Sequence, residues 1–460
     1  MRSIRVRPLV AALVLCAGST GCSGDAAGPT GPNVVLISID TLRPDFLGCY
    51  GHERPTSPLL DRFAAQGTIF EDVTSASPWT LPSHASMLTG LYPSSHGVKD
   101  HDRQLTKETL ATRLLDAGYE TIAVVNSHNI GDRRYGLLRG FEHAHYQKES
   151  IEDPETKLIT NQGPLIAKKA IDFLRARDES RPFFLFLHFY DVHTDFTPDP
   201  RWKLEFVGPY SGDLDGNTQQ LVEYRASDRQ LGEEDVRFLE EMYQAEIRTF
   251  DGILGRVLDY LDATGLAADT IVAVTSDHGE EYAEHDSVLH GRTYYQEVIR
   301  VPILLRGPGI PAGLVVDTPV HLVDLPRTLY SLIGVAPSAE LDGLDLTPAL
   351  RGQPLPAQRY LFSEADHNNT WEGEEVADVR RLLRIGSEKL IYDTLTGRKE
   401  LYDLSTDPEE RNDLSAERPA RVEELFAELQ RFMDRPVDPQ SRELAPMDDE
   451  LEAELRRIGY

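Results

Sequence analysis

Apolar residues along this chain repeat in two ways, and the two alternate. Short unbroken runs of β-branched and aromatic residues open at Asn33 (NVVLISI), Arg181 (RPFFLFLHF) and Thr270 (TIVAVTS). Runs this short and this apolar read as strands buried on both faces of a parallel sheet. Between them the apolar positions take helical spacing, most clearly from Glu233 to Thr264. There Val236, Leu239, Tyr243, Ile247, Phe250, Leu254, Val257 and Leu261 share one face and Gly265 follows as a stop signal. Such a stripe is core and not a cofactor box. The alternation predicts an α/β fold, a three-layer αβα sandwich with a large mostly parallel sheet, over residues 33–345. From about residue 346 to 460 the pattern shifts to short strands and a helix, which predicts a smaller C-terminal subdomain with a short antiparallel sheet. Met447 to Ile458 reads as one more amphipathic helix. The polar stretch from Asp195 to Gly232 is inserted where it would shape a pocket.

The polar residues that end the buried runs carry the candidate chemistry. In an open parallel sheet the ligand sits outside the carboxyl ends of the strands. Asp40 ends the first run, Asp277 and His278 the third, and the second delivers His188, Asp191 and His193 to its following loop. Asp40, His193 and Asp277 each lie just past such an end, and a set of oxygens plus one imidazole suits a divalent ion: Ca²⁺, Mg²⁺, Mn²⁺ or Zn²⁺. Thr80 belongs with them. In TLPSHASMLTG, Pro82 favours a fixed turn and Ala85 to Leu88 read as the first turns of a helix. The Thr80 hydroxyl then sits near a helix N-terminus, where unpaired N–H groups and the helix dipole favour an anionic ester. Alone, such a threonine would be an ordinary helix cap; the strand ends around it change that.

Together these segments resemble the sulfatase family of the alkaline phosphatase superfamily. Pro82, Ser83, Leu88, Thr89 and Gly90 fit its nucleophile signature, with Thr80 where the family has the cysteine or serine oxidised to formylglycine and His84 where it has arginine. Thr41 stands where many members have a second aspartate. The resemblance implies hydrolysis or transfer of a sulfuric or phosphoric ester, with Asp40, Thr80, Asp277 and His278 as metal ligands. It places His193 beside the leaving group and His290, in LHGRTYYQEVIRVPILL, facing the substrate, so that Thr80, His193 and His290 are the expected catalytic residues. His84 and His128 are the expected substrate contacts, with Asn126 replacing the lysine that accompanies His128 in the family. Asp191, His193 and His290 offer a second ion as an alternative to the single-ion arrangement. Arg300 is expected to form a structural ion pair, with Glu297 or another carboxylate. KELYDLSTDPEERNDL, from Lys399 to Leu414, resembles the family's C-terminal subdomain. A threonine oxidised at Cβ would give a ketone, not an aldehyde, so Thr80 itself is the expected nucleophile, as in superfamily relatives such as nucleotide phosphodiesterases and lipoteichoic acid synthases. That shifts weight toward phosphoester chemistry. A phospho-group transferase acting on envelope glycans or lipids, and a non-catalytic binding protein, are the rivals.

Charge narrows the partners. A formal net charge of −29 repels nucleic acid and leaves a small-molecule or glycan ester as the expected substrate; no protein partner is implied. Arg2, Arg5 and Arg7 precede an apolar stretch from Leu9 to Ala17 that is too short to span a membrane, and Gly21–Cys22 fits a bacterial lipobox. Residues 1–21 therefore read as a signal peptide and 22–32 as a tether, giving an exported, lipid-anchored envelope protein. With Cys22 acylated, Cys49 is left as the mature thiol and no internal disulfide is expected.

Overall fold

The computed structural model describes residues 31–148, 150–152, 159–227, 230–356, 358–371, 374–378, 380–435 and 442–444. The expected leader, most of the tether and the Met447–Ile458 helix lie outside these residues.

The central sheet is built from β1 (Asn33–Ile39), β2 (Thr68–Thr74), β3 (Glu120–Val125), β4 (His143–Tyr146), β5 (Phe183–Phe189), β6 (Thr270–Ser276), β7 (Arg300–Arg306), β8 (Leu314–Val316) and β9 (Val320–His321). Its order is β8-β2-β7-β6-β1-β5-β3-β4, with β9 also on β2. β1 lies in the middle, parallel to β5 and β6, and the pairs β3–β5 and β3–β4 are parallel too. β7 alone runs against its two neighbours, β2 and β6. Its register slips between Val301 and Ile303, where Pro302 has no N–H to give the ladder.

Alternation along β1 makes the sandwich. Val35, Ile37 and Ile39 pack into one core with residues of α2 (Gly163–Ala176) and α3 (Glu233–Ala263). Val34 and Leu36 face the other core, with Leu81 and Leu88 of α1 (Thr80–Thr89) and Leu325 and Leu329 of α4 (Asp324–Ile333). Both faces of the strand are covered, which is why its sequence is continuously apolar and not alternating. The α3 stripe falls as its spacing predicts: Leu239 through Leu261 are buried, and Gly265 takes a left-handed φ of 78° beyond the helix end.

The C-terminal subdomain is a four-stranded antiparallel sheet, β10 (Tyr360–Glu364), β11 (Arg380–Ile385), β12 (Glu388–Asp393) and β13 (Lys399–Asp403), with α5 (Pro419–Met433) packed on it. Leu346, Ala349, Leu350 and Leu355, ahead of β10, still pack in the second core of the central sandwich. Buried ion pairs tie the two parts together. Arg359 grips Asp324 with both nitrogens, at 2.7 and 2.6 Å, and Arg384 grips Asp72 in the same bidentate way.

Candidate active site

Three central strands deliver the site. β1 ends on Asp40, β6 on Asp277 and His278, and β5 carries His188 opposite Ser38 of β1. The strand ends are cross-tied by Ser276, whose Oγ accepts from Leu42 N at 2.9 Å and donates to the His278 carbonyl at 2.7 Å. Thr41 turns the chain with φ 52°, a conformation that costs a β-branched residue on the order of 1–3 kcal/mol. Tyr243 of α3 holds that turn, donating to the Thr41 carbonyl at 2.8 Å and accepting from Arg43 N at 2.9 Å.

Thr80 opens α1 itself, several residues earlier than its sequence suggests. Pro82 fits in this first turn because the N–H it lacks would have had no helical partner. The helix start is pinned to β6 through Ser83, whose Oγ donates to the Asp277 carbonyl at 2.8 Å, and through Ser75, which bonds the same carbonyl. Thr80 Oγ1 comes to 3.3 Å from His278 Nε2. His278 Nδ1 faces the Gly279 carbonyl at 2.9 Å. A carbonyl only accepts, so the proton is on Nδ1 and the Nε2 lone pair points at Thr80.

Asp40, Asp277 and His278 offer ligand atoms within 4.8 Å of one another, and Thr80, Asp40, Asp277 and His278 are each 0% exposed. Both Asp40 oxygens and Asp277 Oδ2 are buried without a hydrogen-bond donor. Burial pushes the Asp40 carboxyl up to about 7. The nearby His84 and His188 are held neutral by burial, at about 3 and about 4, so neither balances these carboxylates. Orphaned anionic oxygens around one pre-set imidazole lone pair are what a divalent cation requires, and the residues fit one.

A second cluster adjoins the first. His193, Glu280 and His290 place ligand atoms within 4.8 Å of one another and all three are buried. The His290 ring lies 4.3 Å from that of His278 and 5.0 Å from that of His193. His290 Nδ1 is 3.0 Å from Glu280 Oε1. Burial holds His193 down at about 3, so its imidazole is neutral. Glu280 is fixed by its backbone: its N–H donates to the Glu297 carbonyl at 3.0 Å and its carbonyl accepts from Arg43 Nη1 at 2.8 Å. The turn before it needs glycine, because a Cβ on Gly279 would sit 2.0 Å from the Glu297 carbonyl oxygen. Two residues beyond His290 a cleft of about 270 Å³ opens between the two sheets, lined by His285, Arg292, Tyr295, Arg380, Arg398 and Glu400.

The sulfatase family profile matches residues 32–335, and the profile described as N-sulphoglucosamine sulphohydrolase, C-terminal, matches residues 283–436. The chain belongs to the sulfatase family. It is accordingly an ester hydrolase. It is 26% identical over 426 residues to a Δ4,5-hexuronate-2-O-sulfatase of Bacteroides thetaiotaomicron, covering 83% of this chain and 84% of that one. Over 394 residues it is 25% identical to an arylsulfatase of Clostridium perfringens, covering 72% and 81%. Its fold superimposes on the phosphonate monoester hydrolase of Agrobacterium radiobacter with a TM-score of 0.73 at 22% identity, covering 90% of this chain and all of that one.

Within this sulfatase fold the expected residues do not all converge. Asp40, Thr80, Asp277 and His278 meet, and His193 and His290 stand beside them. His84 does not face a substrate: Nδ1 bonds the Thr80 carbonyl at 2.9 Å and Nε2 bonds Ser38 Oγ at 2.8 Å, so both ring nitrogens are spent beneath the helix. His128 lies 3.5 Å from Asp132 and packs edge-on against the Tyr135 ring. Asp191 turns from His193 to the start of α2, accepting from Gly163 N at 2.8 Å and from Asn126 Nδ2 at 3.3 Å. An anion is stabilised by the free N–H groups there. Arg300 donates to the Glu71 carbonyl at 2.9 Å, while Glu297 bonds His285. Glu280 is the site residue that sequence did not single out, one glutamate in the run GEEYAEHD. The signal for it was its place directly after Asp277-His278-Gly279.

Proposed function

We propose that this enzyme cleaves a phosphoric ester, with a sulfuric ester as the poorer substrate, through a covalent ester on Thr80. The observation that carries the proposal is the 3.3 Å approach of Thr80 Oγ1 to the His278 lone pair beside two buried, donor-less carboxylates. Asp40, Asp277 and His278 would hold a divalent ion, with Thr80 as its fourth ligand. Such an ion would supply positive charge that eases loss of the Thr80 Oγ1 proton to solvent and offsets charge on the transferring group. Thr80 Oγ1 attacks phosphorus in line with the ester oxygen, forming the new O–P bond as the bond to the alcohol breaks. His290, backed by Glu280, gives its proton to the departing oxygen. The His193 imidazole, neutral and stacked at 4.3 Å on Tyr190, walls the same side. Water then attacks the threonine ester, returning Thr80 and releasing phosphate. The alcohol portion lies toward the cleft between the sheets, and a glycan suits its mix of arginine, aromatic and acidic walls. Formylglycine chemistry is disfavoured because position 80 is threonine and position 84 histidine.

The deciding experiment compares nitrophenyl phosphodiester, phosphate monoester and sulfate with the same added ion, with and without an acceptor alcohol. The two phosphoesters should be turned over faster, with product partition toward water. Turnover confined to the sulfate would overturn the proposal, and obligatory acceptor dependence would make the enzyme a transferase. Export with acylation at Cys22 belongs to the same proposal. Cys22→Ala should then release the protein from the membrane fraction or block its processing, and an unchanged distribution with an unmodified mature N-terminus would refute it.

A further inference from the structure

We infer that His193, Glu280 and His290 form a second cation site, suited to Zn²⁺ or a similarly borderline divalent ion, directly beside the Asp40–Asp277–His278 site. The inference rests on taking that first cluster as an ion site, and with the second ion bound, that ion would replace the His290 proton in neutralising the departing oxygen. Two imidazoles and one carboxylate make a His₂Glu donor set, which is softer than the oxygen-rich set next to it and matches zinc preferences. Its ligand atoms lie within 4.8 Å of one another.

Hydrogen bonding presets the imidazoles. The carboxylate at 3.0 Å accepts from His290 Nδ1, which leaves that ring's lone pair on Nε2, and the Thr194 carbonyl at 3.3 Å offers His193 Nδ1 an acceptor when that ring binds through Nε2. The Thr194 side chain is itself held by Thr218, which donates at 2.8 Å to its Oγ1, while Thr194 Oγ1 lies 3.1 Å from His193 Nδ1. Glu280 Oε2 is buried without a hydrogen-bond partner.

Charge points the same way. One divalent ion balances the two carboxylates of the first cluster, Asp40 and Asp277, and leaves Glu280 over. Glu280 is fully buried beside Asp40 and Glu281. Of the cations facing it, Arg43 is already paired with Asp45 and Glu284, and Arg225, which donates to the His290 carbonyl at 3.2 Å, is shared between Glu280 and Glu281. The rings of His278 and His290 lie 4.3 Å apart, so the two donor sets adjoin, and an ion in each would supply the charge that two-ion sites use on both oxygens of a displacement.

The test counts ions and does not depend on turnover. The full chain is stripped with chelator, titrated with Zn²⁺, exchanged into ion-free buffer and assayed by elemental analysis. Two ions per chain are expected in wild type and in Thr80→Ala, and one in His193→Ala and in Glu280→Gln. A Co²⁺ titration of wild type should show two spectroscopically distinct equivalents, the second absent from His193→Ala. One ion per chain in wild type at saturating zinc, or two retained in folded His193→Ala and Glu280→Gln, would overturn the inference. Should either variant fail to fold, the wild-type Co²⁺ titration decides alone, a single equivalent counting against it. The two ideas fail separately: Thr80→Ala with two ions and full activity sinks the covalent threonine, while an essential Thr80 with one ion sinks the second site.

Discussion

Buried charge is handled in opposite ways at the two ends of this molecule. In the C-terminal subdomain Lys389, 0% exposed, meets Glu410 at 2.7 Å, and Arg384 and Arg359 each hold an aspartate across the junction. At the carboxyl edge of the central sheet Asp40, Asp277 and Glu280 are equally buried, yet four of their oxygens lack any donor. Desolvating a charge is costly unless a partner offsets it. The first region has its partners within the chain; the second leaves its acids for the ion proposed above. Burial alone therefore does not mark function here, but burial without compensation does.

The sharpest way to break this contrast is at the nucleophile. Thr80→Ala should lower kcat by a factor on the order of 10⁴ or more, measured on the preferred ester. Its folding midpoint should stay at or above that of wild type if, as proposed, the Thr80 hydroxyl serves chemistry and not packing. Thr80→Ser should keep a measurable part of the activity, since only the methyl that restricts the rotamer is lost. Wild-type turnover in Thr80→Ala would end the covalent mechanism.

Removing one partner of a satisfied pair should have the next largest effect. Lys389→Met strands Glu410 and should cost about 3–5 kcal/mol in denaturant unfolding. An unchanged midpoint would show that the pair does not hold the subdomain.

The opposite sign is expected at the sheet edge. In chelated protein Asp40→Asn should raise stability by roughly 1–3 kcal/mol at pH 8, because a carboxyl held near 7 opposes folding once it ionises. A raised carboxyl is comfortable when neutral, so wild-type stability falls as pH rises from about 4 to about 7, and the gain from Asp40→Asn should vanish toward pH 4. Destabilisation by Asp40→Asn at pH 8 without ions would refute the contrast. Adding a divalent ion at about 100 times its Kd should stabilise wild type by about 2.7 kcal/mol and Asp40→Asn by much less. The smallest effect belongs to His128→Ala, whose contacts are with Asp132 and Tyr135; kcat should change less than about twofold.

How much of this was legible in the sequence depended on whether a residue ended an apolar run. β1, β5 and β6 announced themselves as buried strands, and Asp40, Asp277 and His278 were conspicuous as the first polar residues after them. The α3 stripe was equally plain, because each position is fixed by local spacing. Glu280 was hidden because its role comes from a tight turn at Gly279 and from Arg43, which is 237 positions away in the chain. Asp191 misled for the converse reason. Its proximity to His193 in sequence is outweighed by the N-terminus of α2, which only tertiary structure brings near. His84 looked like a substrate contact because nothing in the sequence shows that Ser38 waits beneath it.

The left-handed backbone at Thr41 also bears on how such sites change over generations. Threonine is poorly suited to that conformation, whereas asparagine and aspartate tolerate it. In the genetic code a threonine codon reaches asparagine by one base change, and asparagine reaches aspartate by one more. Each step relaxes the turn next to Asp40, and the last adds a carboxylate at the position where many sulfatases carry a second aspartate. The passage between a one-acid and a two-acid strand end is thus open in two mutations, with no intermediate penalised by the backbone. Ancestry could run either way along it, and the strain at Thr41 favours loss of the threonine over its gain.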